Sequence, residues 1–274
     1  MYTFKQISPP PGVQRVALYM AFFAVLILII AILHPRTFVR AEENFFDTID
    51  PSAKRALQYG DRHFDAPNPQ QYDLVRAEFF YHEALARDPM LPYVHHQLAR
   101  IAFLKGDFGL AMAHINKELA LSDTPSPASY YIRALIRGYL KDYVGAAEDY
   151  ETYFKITPAN WAGINDYSWV LLKADAPQLA RSALEWGLKQ WPDNPWLLTN
   201  YATALYELRR FEEAETAAIA AERAVARVTT NDWLMAYPGN DPLMAPAGLA
   251  AFKKAAADNV AHMHRAVLDH PLSK

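Results

Sequence analysis

Along most of this chain, apolar and polar residues alternate with the period of an α-helix. The helices this predicts come in pairs. From Asp73 to Pro89, Ala77, Tyr81 and Ala84 share one face and Pro89 stops the run. The lead alanine returns as Ala111, Ala146, Ala180 and Ala214, at steps of 34, 35, 34 and 34 residues. A first helix precedes each such frame. The predicted pairs are Pro51 to about Phe64 with the Asp73 frame, Tyr93–Leu104 with Leu110–Leu121, Ser129–Leu140 with Ala146–Ile156, Ala162–Lys173 with Leu179–Gln190, and Leu197–Leu208 with Glu213–Ala226. Short polar turns join the partners, except in the first pair, where Ala66 to Gln71 form an insertion.

The periodicity fails at the two ends. Val16 to Leu33 is 18 apolar or aromatic residues without interruption. At about 1.5 Å per residue that is roughly 27 Å of helix, close to the thickness of a bilayer core. Pro9, Pro10, Pro11 and Gly12 precede it, Pro35 follows it, and Arg15 and Arg36 flank it. The competing reading is a cleaved signal peptide. The run exceeds the ~7–15 residues of a signal core, and no small-x-small cleavage site follows. The expectation is therefore an uncleaved single-pass anchor within 13–34, after a tail at 1–12 and before an acidic-aromatic connector at 35–51. Lys5 and Arg15 before the span favour a cytoplasmic N-terminus and an extracytoplasmic remainder, as in a bacterial-type inner membrane. At the other end, Pro238 and Gly239 break what would be a sixth first helix. Pro246–Asp269 then reads as a long capping helix with Leu249, Phe252, Ala256, Val260, Met263 and Val267 on one stripe.

Composition removes several function classes. The chain is 52% hydrophobic and 21% charged with a net charge of −3, so it lacks the basic excess of a nucleic-acid binder. The absence of cysteine excludes disulfides, thiolate metal sites and a cysteine nucleophile.

Five frames in phase carry a family resemblance. The small residue of each first helix is Gly60, Ala99, Ala134, Ser168 and Ala202, and the large residue three before the lead alanine is Leu74, Phe108, Tyr143 and Phe211 in four units. The segment from Tyr130 through Ala134, Tyr143 and Tyr150 is the closest match. The chain resembles the tetratricopeptide repeat (TPR) family over about Ser52 to Ala226. It departs at the insertion in unit one, at Pro177 in unit four, and at Ala218 and Ala226 in unit five. The resemblance implies an all-α fold: a right-handed solenoid of about five helix pairs at 52–228, with a degenerate sixth repeat as cap at 229–274.

It also implies a site, because in TPR proteins the first helix of each pair lines the groove. Carried over, the lining is Tyr93, His96, Arg100 and Phe103, then Tyr131, Leu135 and Tyr139, then Asn165, Trp169 and Leu172, then Thr199, Thr203 and Tyr206. That trough is aromatic and mildly polar and suits a peptide segment or subunit of another protein. His96, Arg100, Tyr131 and Leu135 stand where a carboxylate-clamping groove would hold Lys and Asn, so no such clamp is expected.

No reaction is expected. The adjacent His95 and His96, and His262 and His264, diverge around a helix and read as solvated histidines rather than metal ligands, so no metal or other cofactor is implied. Arg133 and Asp149 read as an ion pair within unit three. Glu42-Glu43 and Glu212-Glu213-Glu215 read as solvated faces or helix N-terminal charges. No phosphate loop or nucleophile motif occurs. The expected function is a membrane-anchored scaffold that binds proteins and contacts the bilayer through 13–34, as an assembly factor or adaptor of an envelope complex. The second reading is a structural accessory subunit whose span packs on other helices.

Overall fold

A computed structural model describes residues 11–33, 35–65 and 69–270. The tail residues 1–10 and the insertion residues 66–68 lie outside them. All regular secondary structure among the described residues is helical. Helix α1 (Pro11–Leu33) and α2 (Pro35–Ile49) precede five pairs: α3 (Ala53–Phe64) with α4 (Leu74–Arg87), α5 (Val94–Leu104) with α6 (Phe108–Ala120), α7 (Pro127–Tyr139) with α8 (Tyr143–Ile156), α9 (Trp161–Lys173) with α10 (Pro177–Gln190), and α11 (Pro195–Glu207) with α12 (Phe211–Ala226). Then come the short α13 (Thr230–Ala236), a 3₁₀ turn at Pro242–Met244, and α14 (Ala245–Asp269) packed on α12.

The alanine frame marks where helices touch. Ala77, Ala111, Ala146, Ala180 and Ala214 are all 0% exposed. Their first-helix counterparts are as deep: Gly60, Ala99, Ala134, Ser168 and Ala202 are buried, and a Cβ on Gly60 would lie 2.3 Å from the Tyr81 ring. Two backbones approach closely only where side chains are small, and Tyr81, Ile115, Tyr150 and Leu184 fill the space beside them, each fully buried.

The turns inside the pairs also repeat. Gly106, Lys141, Asp175 and Arg209 adopt the left-handed conformation, with φ of 76°, 65°, 57° and 58°. In each case the next residue's N–H reaches back to the first helix: Asp107 to Ala102, Asp142 to Arg137, Ala176 to Leu171, and Arg210 to Leu205, each at 2.9 Å. This is the six-to-one hydrogen bond that closes a helix C-terminus. Asp107 and Asp142 then cap the second helices, accepting from Leu110 N–H at 2.9 Å and Gly145 N–H at 3.1 Å.

Three expectations are corrected. The connector at 35–51 is mostly helix. Pro35 ends α1 but sits comfortably at the start of α2, where a missing N–H costs nothing. Glu43 of α2 is not a solvated charge: it is 0% exposed, with Oε1 2.7 Å from His63 Nε2 and Oε2 2.6 Å from Arg76 Nη2. Burial alone would raise its pKa, but the His63 and Arg76 bonds outweigh it and the carboxyl stays ionised, with a lowered pKa. Nor are His95 and His96 solvated; they are 9% and 2% exposed, and His95 Nδ1 lies 2.9 Å from His114 Nδ1.

In α1, the residues from Phe22 to Leu33 whose side chains are described include Phe22, Phe23, Val25, Leu26, Ile27, Leu28 and Ile29, all exposed by 39–64%. Eight consecutive exposed positions, 22–29, pass more than twice around a helix, so α1 has no polar side there. Among the described residues no helix is long and apolar enough to cross a membrane.

Candidate protein-binding groove

First helices of successive pairs lie side by side: α5 beside α7, α7 beside α9, and α9 beside α11. They enclose a cavity of about 240 Å³. Arg100 and Phe103 come from α5, Tyr131, Leu135 and Tyr139 from α7, Trp161, Asn165 and Asp166 from α9, and Trp196 from α11. The last wall is unexpected. Residues 237–240, between α13 and the 3₁₀ turn, fold back onto the first helices, so Tyr237, Pro238 and Asn240 line the cavity too.

That returning segment is tied at both ends of the solenoid. Tyr72 donates its hydroxyl to the Gly239 carbonyl at 2.8 Å, Arg100 Nη2 donates to the Pro238 carbonyl at 3.2 Å, and Trp196 Nε1 donates to the Tyr237 hydroxyl at 3.0 Å. Gly239 has φ of 90°, and a Cβ there would lie 2.9 Å from Arg100 and 3.0 Å from Phe64. Only glycine meets both demands. The break at Pro238-Gly239 thus lets the chain enter the groove instead of forming a sixth first helix.

Of the residues expected to line the groove, Arg100, Phe103, Tyr131, Leu135, Tyr139 and Asn165 do meet at the cavity. The others are placed elsewhere. Tyr93 takes a left-handed conformation before α5, with φ of 76°, its N–H held by Glu118 Oε1 at 2.7 Å and its ring stacked on His96 at 4.5 Å. His96 is buried against Ser129 Oγ at 3.1 Å; burial, and then Arg100, push its pKa down to about 3, so it is neutral. Trp169 packs on Tyr139 and fills the notch at Gly138, where a Cβ would be 2.8 Å from its ring. Thr199 and Thr203 turn their hydroxyls onto carbonyls of their own helix, at 2.8 and 3.1 Å. Tyr206 packs edge-on against Phe211 and at a tilt against His262.

Sequence reasoning passed over Trp161, Asp166, Trp196 and Tyr237. A signal for three of them existed. Trp161 and Trp196 are one repeat apart, and Asp166 stands one repeat after Tyr131. In the fold these pairs become neighbours: the two indoles stack at 4.8 Å, and the Tyr131 hydroxyl donates to Asp166. Tyr237 carried no such signal, because its segment is out of phase. The Arg133–Asp149 pair is bidentate at 2.8 and 2.6 Å, and Arg137 adds a third bond at 2.9 Å, which occupies that arginine structurally.

A tetratricopeptide repeat family model matches residues 171–227, which span α10 to α12. No curated protein matches the chain. Among solved structures, a tetratricopeptide repeat protein from Parabacteroides merdae is similar over 87% of this chain and 96% of that one, with 12% identity and a TM-score of 0.59. The MamA protein is similar over 64% of this chain and 92% of that one, with 17% identity and a TM-score of 0.53. PilF of Pseudomonas aeruginosa is similar over 82% and 94%, with 18% identity and a TM-score of 0.52. The fold is therefore that of a tetratricopeptide repeat solenoid.

Proposed function

We propose that this chain is a membrane-anchored TPR-type scaffold that holds a segment of a partner protein in the groove between its first helices. The observation that carries the reading is the aromatic-walled cavity itself. Phe103, Tyr131, Tyr139, Trp161, Trp196 and Tyr237 converge there with only a few polar groups, the composition of a binding hot spot. No reaction is assigned to it. Two supports favour the anchor: the 18-residue apolar run Val16–Leu33, and the exposed apolar stretch 22–29 of α1, which water penalises and lipid does not. Anchoring raises the local concentration of the groove for partners at the membrane without adding any contact. The lysine and arginine before the run favour a solenoid outside the cytoplasm, at a bacterial-type inner membrane, acting as an assembly factor or adaptor of an envelope complex.

The test is capture of the full-length protein from its own membranes, beside the Tyr139→Ala/Trp161→Ala double variant. The proposal expects at least one co-purifying protein to be lost in the variant while the helical content is kept. An unchanged partner set removes the groove assignment. Replacing Val16–Leu33 by an unrelated apolar span separates the scaffold from a subunit whose span packs on specific helices. The scaffold keeps its partners after the exchange, and the subunit loses them.

A further inference from the structure

The cavity holds an acid that no cation answers. Asp166 lies in the middle of α9 and lines the cavity. Its Oδ1 accepts from Asn165 Nδ2 at 3.0 Å, and its Oδ2 accepts from the Tyr131 hydroxyl. Asn165 is itself fixed from α11, where Asn200 Nδ2 donates to its Oδ1 at 3.0 Å. Both donors to the carboxylate are neutral. Among the described residues no lysine, arginine or histidine pairs with it. The titratable groups that face it from the packed elements are phenols: Tyr131 of α7, Tyr150 of α8 and Tyr237 of the returning segment. The cavity's one arginine, Arg100, is engaged elsewhere. It donates to Asp65 at 3.0 Å, to Gln97 at 2.7 Å and to the Pro238 carbonyl at 3.2 Å.

A carboxylate oxygen has room for about two hydrogen bonds. Each oxygen of Asp166 receives one from the protein, so each retains a lone pair. Burial raises the carboxyl to about 6, so at neutral pH it is charged in a setting that disfavours charge. A cationic N–H donor would relieve that. The walls suit such a guest, because aromatic rings accept both an alkyl stem and a cationic head. The space is also selective. About 240 Å³ lies below the roughly 300–1,000 Å³ of sites for drug-sized molecules, and is room for one long side chain.

Resting on the groove reading above, we propose that the cavity is a receptor for a single basic side chain, lysine or arginine, of the bound partner segment. Its stem lies along Tyr139, Trp161 and Tyr237, and its head is hydrogen-bonded to Asp166. Asn165, Asn200 and Tyr131 are positioning residues that hold the carboxylate toward the guest. Specificity then comes from one part-buried acid, the reverse of a groove that clamps a carboxylate.

The experiment uses the full chain in detergent, with tryptophan fluorescence and calorimetry as readouts. The probes are blocked pentapeptides of alanine with lysine, arginine or norleucine at the centre, and n-butylammonium alone. The lysine and arginine peptides are expected to bind about tenfold or more tighter than the norleucine peptide, a difference that Asp166→Asn removes. Asparagine still accepts from Tyr131, so the variant is expected to keep or raise the melting temperature. Lysine-peptide binding is expected to weaken as pH falls through about 6. Equal binding of lysine and norleucine peptides overturns the cation receptor while leaving a peptide groove in place. A lysine preference that persists in Asp166→Asn overturns the role of Asp166. If n-butylammonium binds as tightly as the lysine peptide, the assignment to a protein side chain is overturned in favour of small amines.

Discussion

Glu43→Gln should release α2, and the apolar helix before it, from the solenoid. Glu43 is the one buried residue of α2 among those whose side chains are described, and its carboxylate bridges His63 of α3 and Arg76 of α4 at 2.7 and 2.6 Å. Glutamine keeps one acceptor oxygen but loses the charge and the second acceptor. Removing one partner from a buried ion pair costs about 3–5 kcal/mol, and a retained hydrogen bond to a charged group recovers part of it. The expected loss is about 3 kcal/mol, or more than a hundredfold in the docking equilibrium. Because α3–α12 keep their own cores, the loss should be local. Amide hydrogen exchange reads this directly: rates over 41–49 rise about a hundredfold, while α7 to α12 are unchanged. Exchange over 41–49 that matches the parent protein would refute the argument, and so would an equal rise along the whole solenoid. The pH dependence has a fixed sign. Glu43 has a lowered pKa, so docking is fully present above its unfolded value of 4.5 and is lost as pH falls through the lower folded value.

Further outcomes follow from other residues. His96, whose pKa falls from 6.5 to about 3, cannot take up a proton that the unfolded chain accepts; stability is therefore lost as pH drops below 6.5, by about 2 kcal/mol at pH about 5, and His96→Gln should flatten that slope in denaturant titrations. Asp166 has the opposite sign: its rise from 3.8 to about 6 burdens the folded state at neutral pH, so Asp166→Asn should raise unfolding free energy by up to about 3 kcal/mol there, the gain fading as pH falls toward 4. Gly239→Ala adds a Cβ against Arg100 and Phe64 at a φ of 90° and should expel the returning segment, seen as altered Trp196 fluorescence and faster exchange at 236–240. Arg209→Gly relieves a left-handed arginine at φ 58° and should add about 1 kcal/mol in thermal unfolding.

The helix pairs were legible because one physical demand recurs every repeat. Two helices that cross closely need a small residue at the contact, and Ala77, Ala111, Ala146, Ala180 and Ala214 announce it in the bare sequence. Half of the groove followed from the same phase. Arg100, Phe103, Tyr131, Leu135, Tyr139 and Asn165 reach the cavity. Tyr93, His96 and Trp169 do not, because position on a first helix does not fix which side chain turns toward a neighbouring repeat. The features outside the phase were opaque. Glu43 reads as a surface charge until a histidine 20 residues on and an arginine 33 residues on are seen to converge on it. Tyr237 enters the cavity only because Gly239 bends the chain back, across 167 residues of separation, to Tyr72. Asp166 looks like any helical aspartate until the fold surrounds it with the cavity's aromatic walls and leaves it only part-exposed.

Site-specific photocrosslinking in native membranes reports whether a partner segment sits between the first helices. A crosslinker replaces Tyr139, which is 52% exposed at the cavity, or Val144, which is 70% exposed on a second helix. A discrete protein adduct is expected from position 139, lost when Trp161→Ala is added, and none of the same mass from position 144. An adduct from position 144 alone, or one from position 139 that survives Trp161→Ala, would contradict that placement.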